Sequence, residues 1–271
     1  MDSVMRSEAI VALEWYIDNG VTDVLLDKAV DRTVVIAPAP APAPAPAVSS
    51  EVRILSRSDT YDQATKLAKS ANTLEELKDI IAKFDGIALK KTATNMVFAS
   101  GNPNASIMVI GDCPVADDDR TGQVFSGEQG HLLDKMLAAI GLDRNSTDND
   151  KSVYLSNILN WRPPGGRTPS ASEIEVSLPF IERHIQLIKP EILVFLGGVT
   201  AKALLGRSES LSRLRKSWHD YMPQTKGLGL ENAKPVSAIA THSIAALIKT
   251  PSQKKTAWED LLSIQDLHKS K

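Results

Sequence analysis

Residues 106–127 read Ser106-Ile-Met-Val-Ile-Gly-Asp-Cys-Pro-Val-Ala-Asp-Asp-Asp-Arg-Thr-Gly-Gln-Val-Phe-Ser-Gly127, and this stretch decides the fold. Ile107 to Ile110 is an unbroken apolar run, the pattern of a strand buried on both faces of a parallel sheet. The run breaks at Gly111-Asp112-Cys113-Pro114, crosses an acidic loop and reaches Phe125 beside two glycines. Leu132-Leu-Asp-Lys-Met-Leu137 then carries helical spacing. Strand, polar loop and helix in that order put the loop beyond a strand's carboxyl end, where open α/β sheets bind their ligands.

Working outward, three further apolar runs qualify as buried strands: 153–159, 192–196 and 236–240. Helical segments lie between and after them, around 129–140, 171–188, 199–205 and 251–265. Alternation of strand and helix implies parallel pairing through right-handed crossovers. The expected fold is therefore three-layer α/β/α with a central four-stranded parallel sheet, preceded by an N-terminal helical arm. Residues 1–36 form that arm, with a helical pattern over 4–27. Residues 37–50 form a linker, because the strict Ala-Pro alternation from Ala37 to Ala47 suits an extended polyproline II spacer. Residues 51–83 read as a helical lead-in. There Thr73 and Glu76 have capping-box spacing, and Leu77, Ile80, Ile81 and Phe84 form an apolar stripe. Residues 84–271 make up the remaining domain.

Composition narrows the function classes. The chain has 271 residues, 42% of them apolar and 24% charged, with a formal net charge of −2. That balance argues against general polyanion binding and leaves room for a local basic patch. Cys113 is the single cysteine, so neither an internal disulfide nor a cysteine-held metal site is expected. No apolar run approaches the ~20 residues of a membrane span, and the first residues lack a signal-peptide core. A cytoplasmic setting is expected.

Parallel strands bring four polar ends to one sheet edge: Gly111-Asp112, Ser156-Asn157, Gly197-Gly198 and Thr241-His242-Ser243. Asp112, Asn157, Phe125 and the His242-Ser243 pair then face one pocket. A carboxylate there activates water, an amide reads an amide-like edge, and an aromatic ring stacks on a planar ligand. The plainer reading is that the Asp and Asn cap helices and that Phe125 is core. Positive charge gathers in loops: Arg162 and Arg167 within Asn160–Pro169, Arg213, Arg215 and Lys216 beside Trp218, and Lys249 with Lys254-Lys255. Such clusters suit phosphate contacts. Asp117-Asp118-Asp119 reads as a solvated acidic run. A Gly-Lys-Ser/Thr phosphate loop, a dinucleotide glycine fingerprint and a His-Glu-x-x-His pair are all missing from the sequence.

Over about residues 84–265 the chain resembles the uracil-DNA glycosylase superfamily, most like its family-4 type. The carriers are Val97-Phe-Ala-Ser-Gly-Asn-Pro-Asn-Ala105, Gly111-Asp-Cys-Pro114, Asp118-Asp-Arg-Thr-Gly-Gln-Val-Phe-Ser-Gly127 and Leu132–Leu137. They continue through Val153-Tyr-Leu-Ser-Asn-Ile158, Trp161-Arg-Pro-Pro-Gly-Gly-Arg-Thr-Pro169, Leu196-Gly-Gly198 and Pro251-Ser-Gln-Lys-Lys255. The resemblance implies hydrolysis of the N-glycosidic bond of a flipped uracil in DNA, the first step of base-excision repair. It puts Asp112 at the water-activating or cation-stabilising acid, which is usually Glu in the family. Phe125 falls at the ring under the base, Asn157 at the amide that reads its edge, and Gly111 beside them. Arg162, Arg167, Arg213, Arg215 and Lys249 are the expected DNA contacts. Uracil-containing DNA is the expected partner of a monomer, with a repair or replication protein reached through the arm.

Three departures accompany the resemblance. The family's four cluster-binding cysteines fall at Phe84, Ile87, Trp161 and Ser177, so no iron–sulfur cluster and no other cofactor is expected. Val115 replaces the glycine after Pro114. The family's His-Pro pair falls at Ser243-Ile244, and His242 reaches that position only through a one-residue slip of register. Weak glycosylase activity is the resulting expectation. The alternative is a catalytically degenerate DNA-binding or interaction module that keeps the fold.

Overall fold

The computed structural model describes residues 57–230 and 232–270; the expected N-terminal arm and Ala-Pro linker lie outside them. Helices α1 (Arg57–Ser70) and α2 (Leu74–Lys83) come first. Thr73 caps α2 by accepting from the Glu76 N–H at 3.1 Å, but the Glu76 carboxylate accepts from Asn72 at 2.6 Å rather than from the cap residue. The capping box is thus opened by one residue.

Strand β1 (Ala99–Gly101) is followed by β2 (Ile107–Gly111), a short α3 (Ala116–Thr121), α4 (Gly127–Ala138) and β3 (Val153–Asn157). Next come α5 (Ala171–Ile188), β4 (Ile192–Leu196), α6 (Gly198–Leu205), α7 (Leu211–Leu214) and β5 (His219–Tyr221). The order closes with β6 (Val236–Thr241), α8 (Ile244–Lys249) and α9 (Lys254–Ser270). The sheet runs β1-β3-β2-β4-β6-β5. Its central four strands are parallel, as the alternation implied, and β1 and β5 add an antiparallel edge on each side. Both edge strands have three residues, too short for periodicity to announce them.

The parallel core is buried on both faces because side chains alternate across it. Ile107, Val109, Val153, Leu155, Ile192 and Val194 face one layer, which holds α4, α8 and α9 through Leu133, Leu247 and Leu261. Met108, Ile110, Tyr154, Leu193 and Phe195 face the other, against Ile181 and Ile185 of α5 and Leu204 of α6. A third cluster joins Ala64, Ala68, Leu77 and Ile81 of α1 and α2 to Phe180 of α5. Among the described residues no helix is long and apolar enough to cross a membrane.

One expectation for local structure is corrected. The acidic run 117–119 is not a solvated loop: Asp118 and Asp119 are buried inside α3. Asp119 accepts from the N–H groups of Thr94 and Asn95 at 2.8 and 3.0 Å, which ties α3 to the segment before β1. Helix α8 is missing from the sequence reading, since six residues are too few to display a helical period.

Candidate active site

All four parallel strands end at one edge, with Gly111 opposite Asn157 and Leu196 opposite Thr241. The β2–β3 pairing continues past the strand ends: Ile158 donates to the Gly111 carbonyl at 2.9 Å and Leu159 to the Asp112 carbonyl at 3.0 Å. Those bonds hold Asp112 and Asn157 in fixed relation. A cavity of about 170 Å³ opens over this edge, bordered by Gly111, Asp112, Phe125, Arg167, Leu196 and Ser243.

Gly111 sets the closeness of the site. A Cβ there would overlap the Asn157 side-chain oxygen and come within 2.8 Å of the tip of the Phe125 ring. Ring and amide therefore meet over bare backbone, which only glycine allows. Asn157 is 2% exposed, and neither its amide nitrogen nor its oxygen has a hydrogen-bond partner among the described residues. Leaving a buried donor and acceptor unmatched costs about 1–3 kcal/mol each. A fold that had no use for this amide would gain by replacing it.

Phe125 is 8% exposed and takes φ 50°, a left-handed conformation that costs a non-glycine residue about 1–3 kcal/mol. Asp118 secures the next residue, accepting from the Ser126 N–H at 2.6 Å and its hydroxyl at 2.9 Å. The same carboxylate accepts from the Val115 N–H at 3.1 Å. Val115 has φ −96°, extended backbone that any residue adopts, so the replaced glycine costs no strain here. What Val115 adds is bulk at the cavity wall.

Asp112 accepts from the Cys113 N–H at 2.9 Å, and desolvation nevertheless raises its carboxyl above the ordinary range. Burial also pushes the Cys113 thiol far up, with the charge of Asp112 adding to the effect, so this cysteine stays protonated and inert.

Register settles which residue after β6 faces the cavity. Thr241 pairs with Leu196 without a slip, and Ser243 lines the cavity. His242 is turned away: its Nε2 lies 3.1 Å from the Thr256 hydroxyl at the start of α9. Desolvation, with nearby Arg215, lowers its pKa. The Ser243 hydroxyl accepts from the Ala246 N–H at 3.3 Å and caps α8.

The basic residues divide. Arg167 borders the cavity and pairs with Glu173 at 2.6 and 2.9 Å, which holds the Glu173 carboxyl at about 2. Arg162 is half-buried beneath the same loop, its Nε unpartnered among the described residues. Lys249 borders an adjoining groove, and Arg213 is exposed. Arg215 is the correction: its guanidinium bonds Asp260 at 2.8 and 2.9 Å and the Thr256 carbonyl at 2.6 Å. With its side chain 13% exposed, it is spent inside the fold rather than presented to a ligand.

Sequence reading missed Gln129, which borders both the cavity and the adjoining groove. It lies in the first turn of α4, and no pattern in the sequence singles it out.

The positions that the resemblance assigns to cluster ligands do not fit an iron–sulfur cluster. Phe84, Ile87 and Trp161 supply carbon in place of thiolate and lie in one apolar cluster with Phe180. Ser177 is 2% exposed and offers one hydroxyl, itself unpartnered among the described residues. Phe84 packs edge-on against Phe180 with ring centroids 5.2 Å apart.

Comparison with known proteins agrees with this fold. Residues 98–262 match the profile described as the uracil DNA glycosylase superfamily. The chain is 30% identical over 201 residues to the type-4 uracil-DNA glycosylase of Archaeoglobus fulgidus, covering 72% of this chain and 94% of that one. The enzyme of the same name from Sulfurisphaera tokodaii is 30% identical over 199 residues, 72% of this chain and 85% of the relative. That of Pyrobaculum aerophilum is 29% identical over 192 residues, 69% and 91%.

Proposed function

Because this chain belongs to the uracil-DNA glycosylase superfamily, we propose that it hydrolyses the N-glycosidic bond of a uracil flipped out of DNA. The observation that carries the reading is the buried Asn157 amide, its donor and acceptor both without a partner among the described residues and its oxygen directly behind Gly111 of the cavity wall. Uracil presents a neighbouring N–H and carbonyl on one edge, the complement of a primary amide. Phe125 would lie against the face of the base, and Gly111 leaves the space in which ring and amide converge. Flipping is needed because the bond is out of reach in the stack.

In the reaction the bond between base and sugar C1′ breaks, and its electron pair leaves on the base. Water's oxygen bonds to C1′, and one water proton passes to the Asp112 carboxylate and from there, through solvent, to the departed base anion. The products are neutral free base and an abasic site, with the carboxylate restored. Asp112 also sets negative charge beside the cationic sugar as it develops. Ser243 supplies the donor toward the base: its oxygen accepts at the α8 cap, while its hydrogen is free to point into the cavity. A hydroxyl reaches less far than an imidazole and carries no charge, so a lower rate is part of the proposal. Removing one such donor typically costs on the order of 10²–10³. No cluster takes part. Arg162, Arg167, Arg213 and Lys249 would hold phosphates, and the chain would act as a monomer.

Single- and double-stranded oligonucleotides bearing one uracil test the reading, with alkali-labile abasic sites scored against an Asp112→Ala/Asn157→Ala control. Product well above the control is expected. Product no greater than the control would sink the enzyme and leave a DNA-binding module of the same fold.

A further inference from the structure

Phe125 holds its left-handed backbone at the centre of the site, and something must keep it there. Asp118 grips the residue that follows. On the other side the grip comes from Arg144, in the loop between α4 and β3. Its Nη1 donates to the carbonyl of Val124 at 3.0 Å and to that of Phe125 at 3.1 Å. Its Nε donates to Asp134 of α4 at 2.6 Å. The guanidinium is thus anchored on the helix by one nitrogen and carries the turn before it on another. Gly130 closes the arrangement, because a Cβ there would collide with the Phe125 carbonyl. The Arg144 side chain is 11% exposed and does not border the cavity.

We infer that Arg144 is a positioning residue for Phe125, fixing the ring over Gly111 and beside Asn157 through the carbonyls of residues 124 and 125. What the ring then carries rests on the proposed function; the placement of the ring does not. Arginine suits the task because its planar fork can bond a carboxylate and carbonyls at once in fixed geometry. Lysine keeps the charge without the fork.

The test uses Arg144→Ala and Arg144→Lys in the full chain. Ring-¹³C phenylalanine NMR resolves five phenylalanines. The Phe125 signals, assigned by Phe125→Leu, should shift or broaden in both variants while the other four stay in place. Single-turnover excision should fall about 10-fold in Arg144→Ala, the order of a lost base-stacking contact. In a Phe125→Ala background the same change should cost less than about 2-fold, since residues acting through one another are non-additive. Affinity for abasic-site DNA, which has no base to stack, should be unchanged. Unmoved Phe125 signals, or an equal loss of rate in the Phe125→Ala background, would overturn the inference. Should Arg144→Ala not fold, Arg144→Lys carries both measurements. Moved Phe125 signals in a protein without excision would keep the positioning role and defeat the glycosylase reading.

Discussion

Asp112 is where function and stability pull apart. Its carboxyl is raised because it sits desolvated in the cavity and the backbone N–H groups of Asp112 and Cys113 offset only part of that burial. A carboxyl raised in the folded state binds its proton more tightly there than in the unfolded chain. Its contribution to stability is therefore present below the unfolded pKa, about 4, and is lost as pH rises through the folded value. At neutral pH the charged Asp112 is a cost. Asp112→Asn should accordingly melt higher than the parent at pH 7, and the two melting curves should converge on acidification. The same change should lower single-turnover excision by about 10²–10⁴, the range of a positioned acid or base. The parent's rate should fall on acidification at a pH above the ordinary carboxylate range. Part of this site is legible in the sequence: parallel strand ends bring Asp112, Asn157 and the His242-Ser243 pair together, because chain direction alone delivers them to one edge. The choice of Ser243 over His242 needs the register of β6. Asp118 and Arg144 were not legible. Their hold on the Phe125 turn runs mainly through backbone groups of residues 115, 124, 125 and 126, and backbone groups leave no trace in side-chain pattern.

Elements differ in how plainly they announce themselves. The four parallel strands were readable because burial on both faces demands an unbroken apolar run, and β2, β3 and β4 are buried at every position. Edge strands β1 and β5 have no such demand, and α3 hid behind three acids whose burial depends on distant N–H groups. Where the family resemblance implies a cluster, Phe84, Ile87 and Trp161 lie in one apolar cluster with Phe180. Trp161, 4% exposed, leads into the loop that carries Arg162 and Arg167, and it shares one core with Phe84 and Ile87. Trp161→Ala should destabilise the protein by about 3–5 kcal/mol through the cavity it leaves, seen as an earlier denaturant midpoint. Metal analysis of the purified parent should find no stoichiometric iron, and a chelator should change neither its melting temperature nor its rate. Stoichiometric iron, or a fall in melting temperature on chelation, would contradict the packing account.

For the whole molecule the decisive quantity is where charge is placed, since a net charge of −2 gives DNA no general attraction. Binding must come from the few cations presented near the strand ends, and the two arginines of one short segment separate the roles. Arg213 is exposed, whereas Arg215 is locked to Asp260, whose other contact is the Thr241 hydroxyl at the end of β6. Each phosphate contact contributes about 0.9 to the slope of log affinity against log salt on duplex DNA and about 0.7 on single strands. Arg213→Ala should therefore make that slope shallower by one such increment and leave the melting temperature in place. Arg215→Ala should do the reverse. Stranding the buried Asp260 carboxylate costs about 3–5 kcal/mol, so folding suffers while the salt slope of the protein that remains folded is unchanged. Titrating both variants into labelled uracil-containing oligonucleotide across a salt series, beside thermal melts, decides it. A slope that responds to Arg215 as it does to Arg213 would mean that the ion pair opens to the phosphate backbone when DNA binds.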